Sequence, residues 1–158
     1  MKIKTVLLRG KIFESTQQAI DSIRTWFDGE LILSTWKHQK HQLQNLTKII
    51  YLDDPGPGPV QQSDRQLISY KEGLSHCQEG LTLVTRSDIC HFKDLSEYFN
   101  IHQSVCEKYS IFEKKVVVGN MMTINPDRTG DGVTERNKHF RICDWFQVGL
   151  KNDLNKWC

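Results

Sequence analysis

The chain predicts an α/β fold, a mainly parallel sheet flanked by helices, from two observations. Short apolar runs of strand length recur along the first half: KTVLLR (Lys4 to Arg9), ELILST (Glu30 to Thr35), KIIYL (Lys48 to Leu52) and LTLVTRSD (Leu81 to Asp88). Between them lie segments with helical periodicity, so the order is strand, helix, strand, link, strand, helix, strand. Alternation of this kind belongs to parallel sheets covered by helices.

Each element has its own signal. The first strand is a continuous apolar run, as a strand buried on both faces requires. Ser15 followed by Gln18 matches a capping box and predicts the start of a helix. Within it Ile20, Ile23 and Phe27 share a face, flanked by Ala19 and Trp26. The stretch DDPGPGP, Asp53 to Pro59, is a turn or loop, because alternating Pro and Gly suit neither helix nor ladder. A second helix covers about Gln62 to Cys77, with Leu67, Tyr70, Leu74 and Cys77 on one face. Its Gly73 implies close backbone packing, since glycine costs about 1 kcal/mol against alanine in a helix. Phe92, Leu95 and Phe99 predict a short helix after Asp88. Lys115 to Met122 predicts a strand, and His139 to Leu150 another extended segment in a less regular, mixed C-terminal part.

Bulk properties narrow the function. A chain of 158 residues suits one domain, 1–158, with no linker to divide it. Its 21 Lys and Arg nearly balance 19 Asp and Glu, so charge gives no case for nucleic acid or an anionic membrane as partner. No run approaches the ~20 apolar residues of a membrane span, and the N-terminal apolar segment is short for a signal peptide. Five cysteines without a C-x-x-C pair predict free thiols and a cytoplasmic location. Neither His38 with His41 nor Cys90 with His91 has zinc spacing; surface histidines and buried thiols account for them equally well. NPDRTGDG, Asn125 to Gly132, has Lys138 where a calcium loop needs Glu. There is no P-loop and no GxGxxG fingerprint.

In an open parallel sheet, ligands bind beyond the carboxyl ends of the strands. Those ends carry Arg9-Gly10, Ser34-Thr35-Trp36, Asp53-Asp54 and Arg86-Ser87-Asp88. Any strand must leave the core through polar residues, and each end alone is explained that way. Together they supply cations, carboxylates, hydroxyls and an indole, an inventory that suits a nucleotide diphosphate.

Six ordered segments, LLRG, ELILSTW, LDDPGPG, DRQLISYKEGL, LVTRSD and ICDWFQVGL, give the chain a resemblance to the WavE-type lipopolysaccharide-synthesis family, glycosyltransferases with a GT-A-like, Rossmann-like fold. The resemblance implies transfer of a sugar from a nucleotide-sugar donor to a glycan or lipid-linked acceptor. It also implies that Asp88 stands at the last aspartate of an Asp-x-Asp motif that holds a divalent cation, Mn²⁺ or Mg²⁺. Arg86 replaces the first aspartate, and a guanidinium can itself bind phosphate bidentately. Arg86, Arg9 and Arg65 are the candidates for the diphosphate; Ser34, Thr35, Trp36 and Asp54 are those for the nucleoside. Asp144, set in the apolar HFRICDWFQVGL, is the candidate general base. Enzymes of this kind usually continue past the motif with acceptor-binding elements, so the resemblance also implies a C-terminally shortened, minimal or degenerate member. Two other readings stand beside it: a non-catalytic nucleotide-sugar-binding or interaction module, and a nucleotidyltransferase.

Overall fold

The structure is a computed structural model that describes residues 1–39, 41–56, 63–101, 108, 110–119 and 145–156. The chain runs β1 (Ile3–Arg9), α1 (Thr16–Arg24), β2 (Glu30–Trp36), β3 (Lys48–Leu52), α2 (Ser63–Ser75), β4 (Leu81–Arg86), α3 (Ser96–Asn100), β5 (Val117–Val118), β6 (Phe146–Leu150) and α4 (Lys151–Lys156). These strands form one six-stranded sheet in the order β3-β2-β1-β4-β6-β5. The pairs β2–β3, β1–β2 and β1–β4 are parallel, whereas β6 is antiparallel to both β4 and β5. The sheet is therefore mainly parallel at its centre and mixed toward its C-terminal edge.

The apolar runs are continuous because the central strands are covered on both faces. Alternate residues separate into two cores. Val6, Leu8, Leu31, Leu33 and Leu83 pack with Ile20 and Ile23 of α1 and Phe99 of α3. Leu7, Ile32 and Val84 pack on the opposite face with Tyr70 and Leu74 of α2 and Leu154 of α4. Gly73 lets α2 sit close to the sheet: a Cβ there would lie 2.8 Å from Leu7 Cδ1 and 2.9 Å from Ser34 Cβ.

Several local expectations need correction. Ser15 occupies the N-cap of α1 without a side-chain cap bond; instead Thr16 Oγ1 accepts from Phe13 N at 2.8 Å. The hydroxyl that closes the turn is one position later than the capping-box pattern places it. Leu67 is exposed while Tyr70, Leu74 and Cys77 are buried, because only the C-terminal turns of α2 lie over the sheet core. Phe92 is likewise exposed, leaving Leu95 and Phe99 to anchor α3. His91 is buried, not a surface histidine. Its neutral ring is kept by burial, which pushes its pKa down to about 4. Among the described residues Cys77 and Cys90 are free, and burial pushes the Cys77 thiol up to about 12, which leaves it unreactive. Only Val117–Val118 of the expected strand is regular within the described residues. Pro57 to Pro59, Asn120 to Met122, the NPDRTGDG turn and His139 to Asp144 lie outside the described residues.

The short α4 has no counterpart in the sequence expectations. It is held by Asp153, fully buried, whose carboxylate accepts from Glu113 N and Lys114 N, each at 2.8 Å. Lys156 Nζ donates to the same group at 3.2 Å. A buried carboxylate is tolerated here because each oxygen is hydrogen-bonded and a cation lies beside it.

Candidate functional site

Parallel strands present their carboxyl ends at one edge, and the loops leaving that edge are tied together. Gly10 N donates to Ser34 O at 3.0 Å, and Ser87 N donates to Arg9 O at 3.1 Å. Gly10 turns the chain out of β1 at φ +106°, a conformation that favours glycine. Ser87 Oγ donates to Lys11 O. On the far side of β4, Trp145 O accepts from Arg86 N at 3.1 Å and from Thr85 Oγ1 at 2.9 Å.

Above this edge lies a cavity of about 510 Å³. It is lined by Arg9, Trp36, Asp54, Arg65, Arg86 and Asp88, so residues distant in sequence share one space. Ser34 and Thr35 do not line it. Both are fully buried within the sheet: the Ser34 Cβ lies against the α2 backbone at Gly73, and Thr35 Oγ1 donates to Gln39 Oε1 at 3.3 Å. Of the four residues expected at a nucleoside, the cavity wall includes Trp36 and Asp54. Asp144 lies outside the described residues.

The charged groups occur as two forks. Arg86 engages Asp88 through Nε to Oδ1 at 2.9 Å and Nη2 to Oδ2 at 2.6 Å. Arg65, in the first turn of α2, engages Asp54 through Nε to Oδ1 at 2.6 Å and Nη2 to Oδ2 at 2.7 Å. This fork holds the Asp54 carboxyl below its ordinary range against the opposing pull of burial, and Gly56 N–H adds to it at 2.9 Å. Arg9, nearly buried, places its guanidinium carbon 5.6 Å from the centre of the Tyr70 ring on α2, a cation–π distance. Arg9 and Arg86 are register partners on adjacent strands.

Sequence reading alone does not reach Lys11, Phe13, His38, Gln39, Gln66 or Ser69 as members of this site, yet all line the cavity. Ser69 stands four residues after Arg65, and that helical spacing is a usable signal. Gln66 follows Arg65 directly on α2, whereas Lys11, Phe13, His38 and Gln39 lie two to four residues past a strand end, where only the path of the loop decides. Among the described residues of the lining, Lys11, Arg9, Arg65 and Arg86 stand with Asp54 and Asp88. The arrangement is suited to an anion with planar, polar and aromatic neighbours.

No helix among the described residues is long and apolar enough to cross a membrane. A family model described as WavE, lipopolysaccharide synthesis, matches residues 4–157. No curated protein and no solved structure matches.

Proposed function

The chain belongs to the WavE lipopolysaccharide-synthesis family, and on that premise we propose that it is a glycosyltransferase using a nucleotide-sugar donor. The observation that carries the reading is the convergence of Arg9, Arg65, Arg86 and Trp36 in one cavity at the carboxyl edge of the parallel strands. A sugar nucleotide brings a diphosphate, and departure of that group leaves negative charge that fixed cations can stabilise. Arg9, Arg86 and Arg65 are the groups for the diphosphate. Trp36 and Phe13, both in the cavity wall, offer flat apolar surface to the base. The GT-A-like form of the fold belongs to the same proposal, supported by the parallel centre of the sheet and the position of the cavity.

Asp144 is the proposed base for the acceptor hydroxyl of a glycan or lipid-linked acceptor. Its chain neighbour Trp145 accepts hydrogen bonds from the end of β4. The test is a thermal-shift screen of UDP-, GDP-, CMP- and dTDP-sugars, followed by measurement of nucleotide release with each sugar that binds. Binding together with release, including slow hydrolysis without acceptor, is the expected result. Binding without any turnover would make the chain a non-catalytic nucleotide-sugar-binding module, and no binding at all would sink the reading.

A further inference from the structure

Gln39 lies in the loop that leaves β2, and three bonds fix it there. Its backbone N–H closes a turn onto Trp36 O at 2.9 Å. Its side-chain Oε1 accepts from Ile12 N at 3.0 Å and from Thr35 Oγ1 at 3.3 Å. A backbone amide can only donate, so the atom that faces Ile12 N is the side-chain oxygen and not the nitrogen. That sets which way round the side chain stands, and both lone pairs of the oxygen are taken. Its Nε2 engages none of the described residues. Ile12 and Thr35 are buried, whereas Gln39 is half-exposed and belongs to the cavity wall.

The same bond ties this amide to the loop that carries Phe13. The residue after Ile12 puts a ring that is 40% exposed into the wall of the same cavity. An open aromatic ring beside a fixed polar group suits a stacked heterocycle, whose face takes the ring and whose edge takes the hydrogen bond. A phosphate gains nothing from such a ring.

We infer that Gln39 is a specificity-determining residue: its side-chain N–H reads an exocyclic keto oxygen of the base, and so selects uracil, thymine or guanine over cytosine or adenine. The inference rests on the nucleotide-sugar reading of the cavity and adds the class of base to it. With its oxygen occupied, Gln39 offers a donor and no acceptor. That donor meets O4 of uracil or O6 of guanine. The amino group at the same place on cytosine or adenine sets donor against donor and leaves both unpaired.

The test is calorimetric titration of the full chain, in Mg²⁺, with UDP, CDP, GDP, ADP and inorganic pyrophosphate. UDP and CDP differ on the base edge alone. In whichever pair binds more tightly, UDP with CDP or GDP with ADP, the keto member should bind about tenfold better, the worth of one hydrogen bond gained and one clash avoided. Gln39→Glu keeps an oxygen for Ile12 N and Thr35 but replaces the N–H groups by an acceptor, so the ratio within the pair should fall to about one or invert. The added charge, and any loosening of the loop, weaken both members alike and cancel in that ratio. Equal affinities within the pair in the wild type, or tighter binding of the amino member, overturn the inference while leaving the nucleotide reading intact. A keto preference that survives Gln39→Glu unchanged removes Gln39 from the base. Absence of binding by all five ligands overturns both readings. Circular dichroism of the variant verifies that it is folded.

Discussion

Lowering the pH from about 7 to 4 should cost the protein about 3 kcal/mol of stability through His91. The ring is buried beside β4, with Nε2 2.8 Å from Thr85 Oγ1. That hydroxyl donates its single proton to Trp145 O at 2.9 Å, so it accepts from the ring, and Nε2 carries the hydrogen. The imidazole also meets Phe146 edge-on at 5.6 Å. Burial pushes its pKa from 6.5 down to about 4. In the unfolded chain the ring protonates near its ordinary value; in the folded chain it does not until the pH is much lower. The stabilisation is therefore whole above about pH 6.5, declines by about 1.4 kcal/mol per unit as pH falls, and levels off below about 4. Urea denaturation of wild type and His91→Gln across this range isolates the effect, since other titrating groups cancel in the difference. The gap between the two proteins should shrink by about 3 kcal/mol toward acid. A gap that stays constant from pH 7 to 4 would refute the reasoning, as would an NMR titration that places the folded-state pKa near 6.5.

Gly73→Ala should destabilise by about 1–3 kcal/mol in urea denaturation despite the better helix propensity, because the new Cβ would press on Leu7 and on the Ser34 Cβ; a more stable variant would contradict the close approach of α2. Asp153→Ala should cost about 3 kcal/mol by leaving the amides of Glu113 and Lys114 without their acceptor; an unchanged denaturation midpoint would mean the loop reorganises freely. Arg65→Lys keeps the charge but loses the fork to Asp54, so UDP or GDP affinity should fall by about tenfold with little change in melting temperature. Phe13→Ala should weaken UDP and GDP binding and leave pyrophosphate binding unaffected, and equal loss for all three would remove Phe13 from the base.

The parallel centre of the sheet was legible because burial on both faces demands uninterrupted apolar runs, and nothing else in the first half supplies them. Gly73 was legible for a similar reason: an unfavourable residue inside a helix needs a steric cause, and Leu7 with Ser34 provides it. Ser34 and Thr35 stay buried in the sheet, and chain order at a strand end does not reveal which side chains do so. Trp36, one residue later, reaches the cavity wall. Lys11, Phe13, His38 and Gln39 were hidden in loops whose course is set by distant bonds such as Ile12 N to Gln39 Oε1 at 3.0 Å. Asp153 reads locally as a polar helix residue; only amides some forty residues earlier make it a buried one.

The register of Arg9 against Arg86 also bears on when the site comes into existence. Thr5 pairs with Glu30 across 25 residues of chain, whereas Ile3 must find Leu81 across about three times that length. Closing the longer loop costs about 1 kcal/mol more, and non-local strand pairing is slow. The two guanidinium groups thus meet only when the most distant neighbours in the parallel sheet have joined. A partly assembled chain lacks this edge, and anything that binds there can stabilise only the finished sheet.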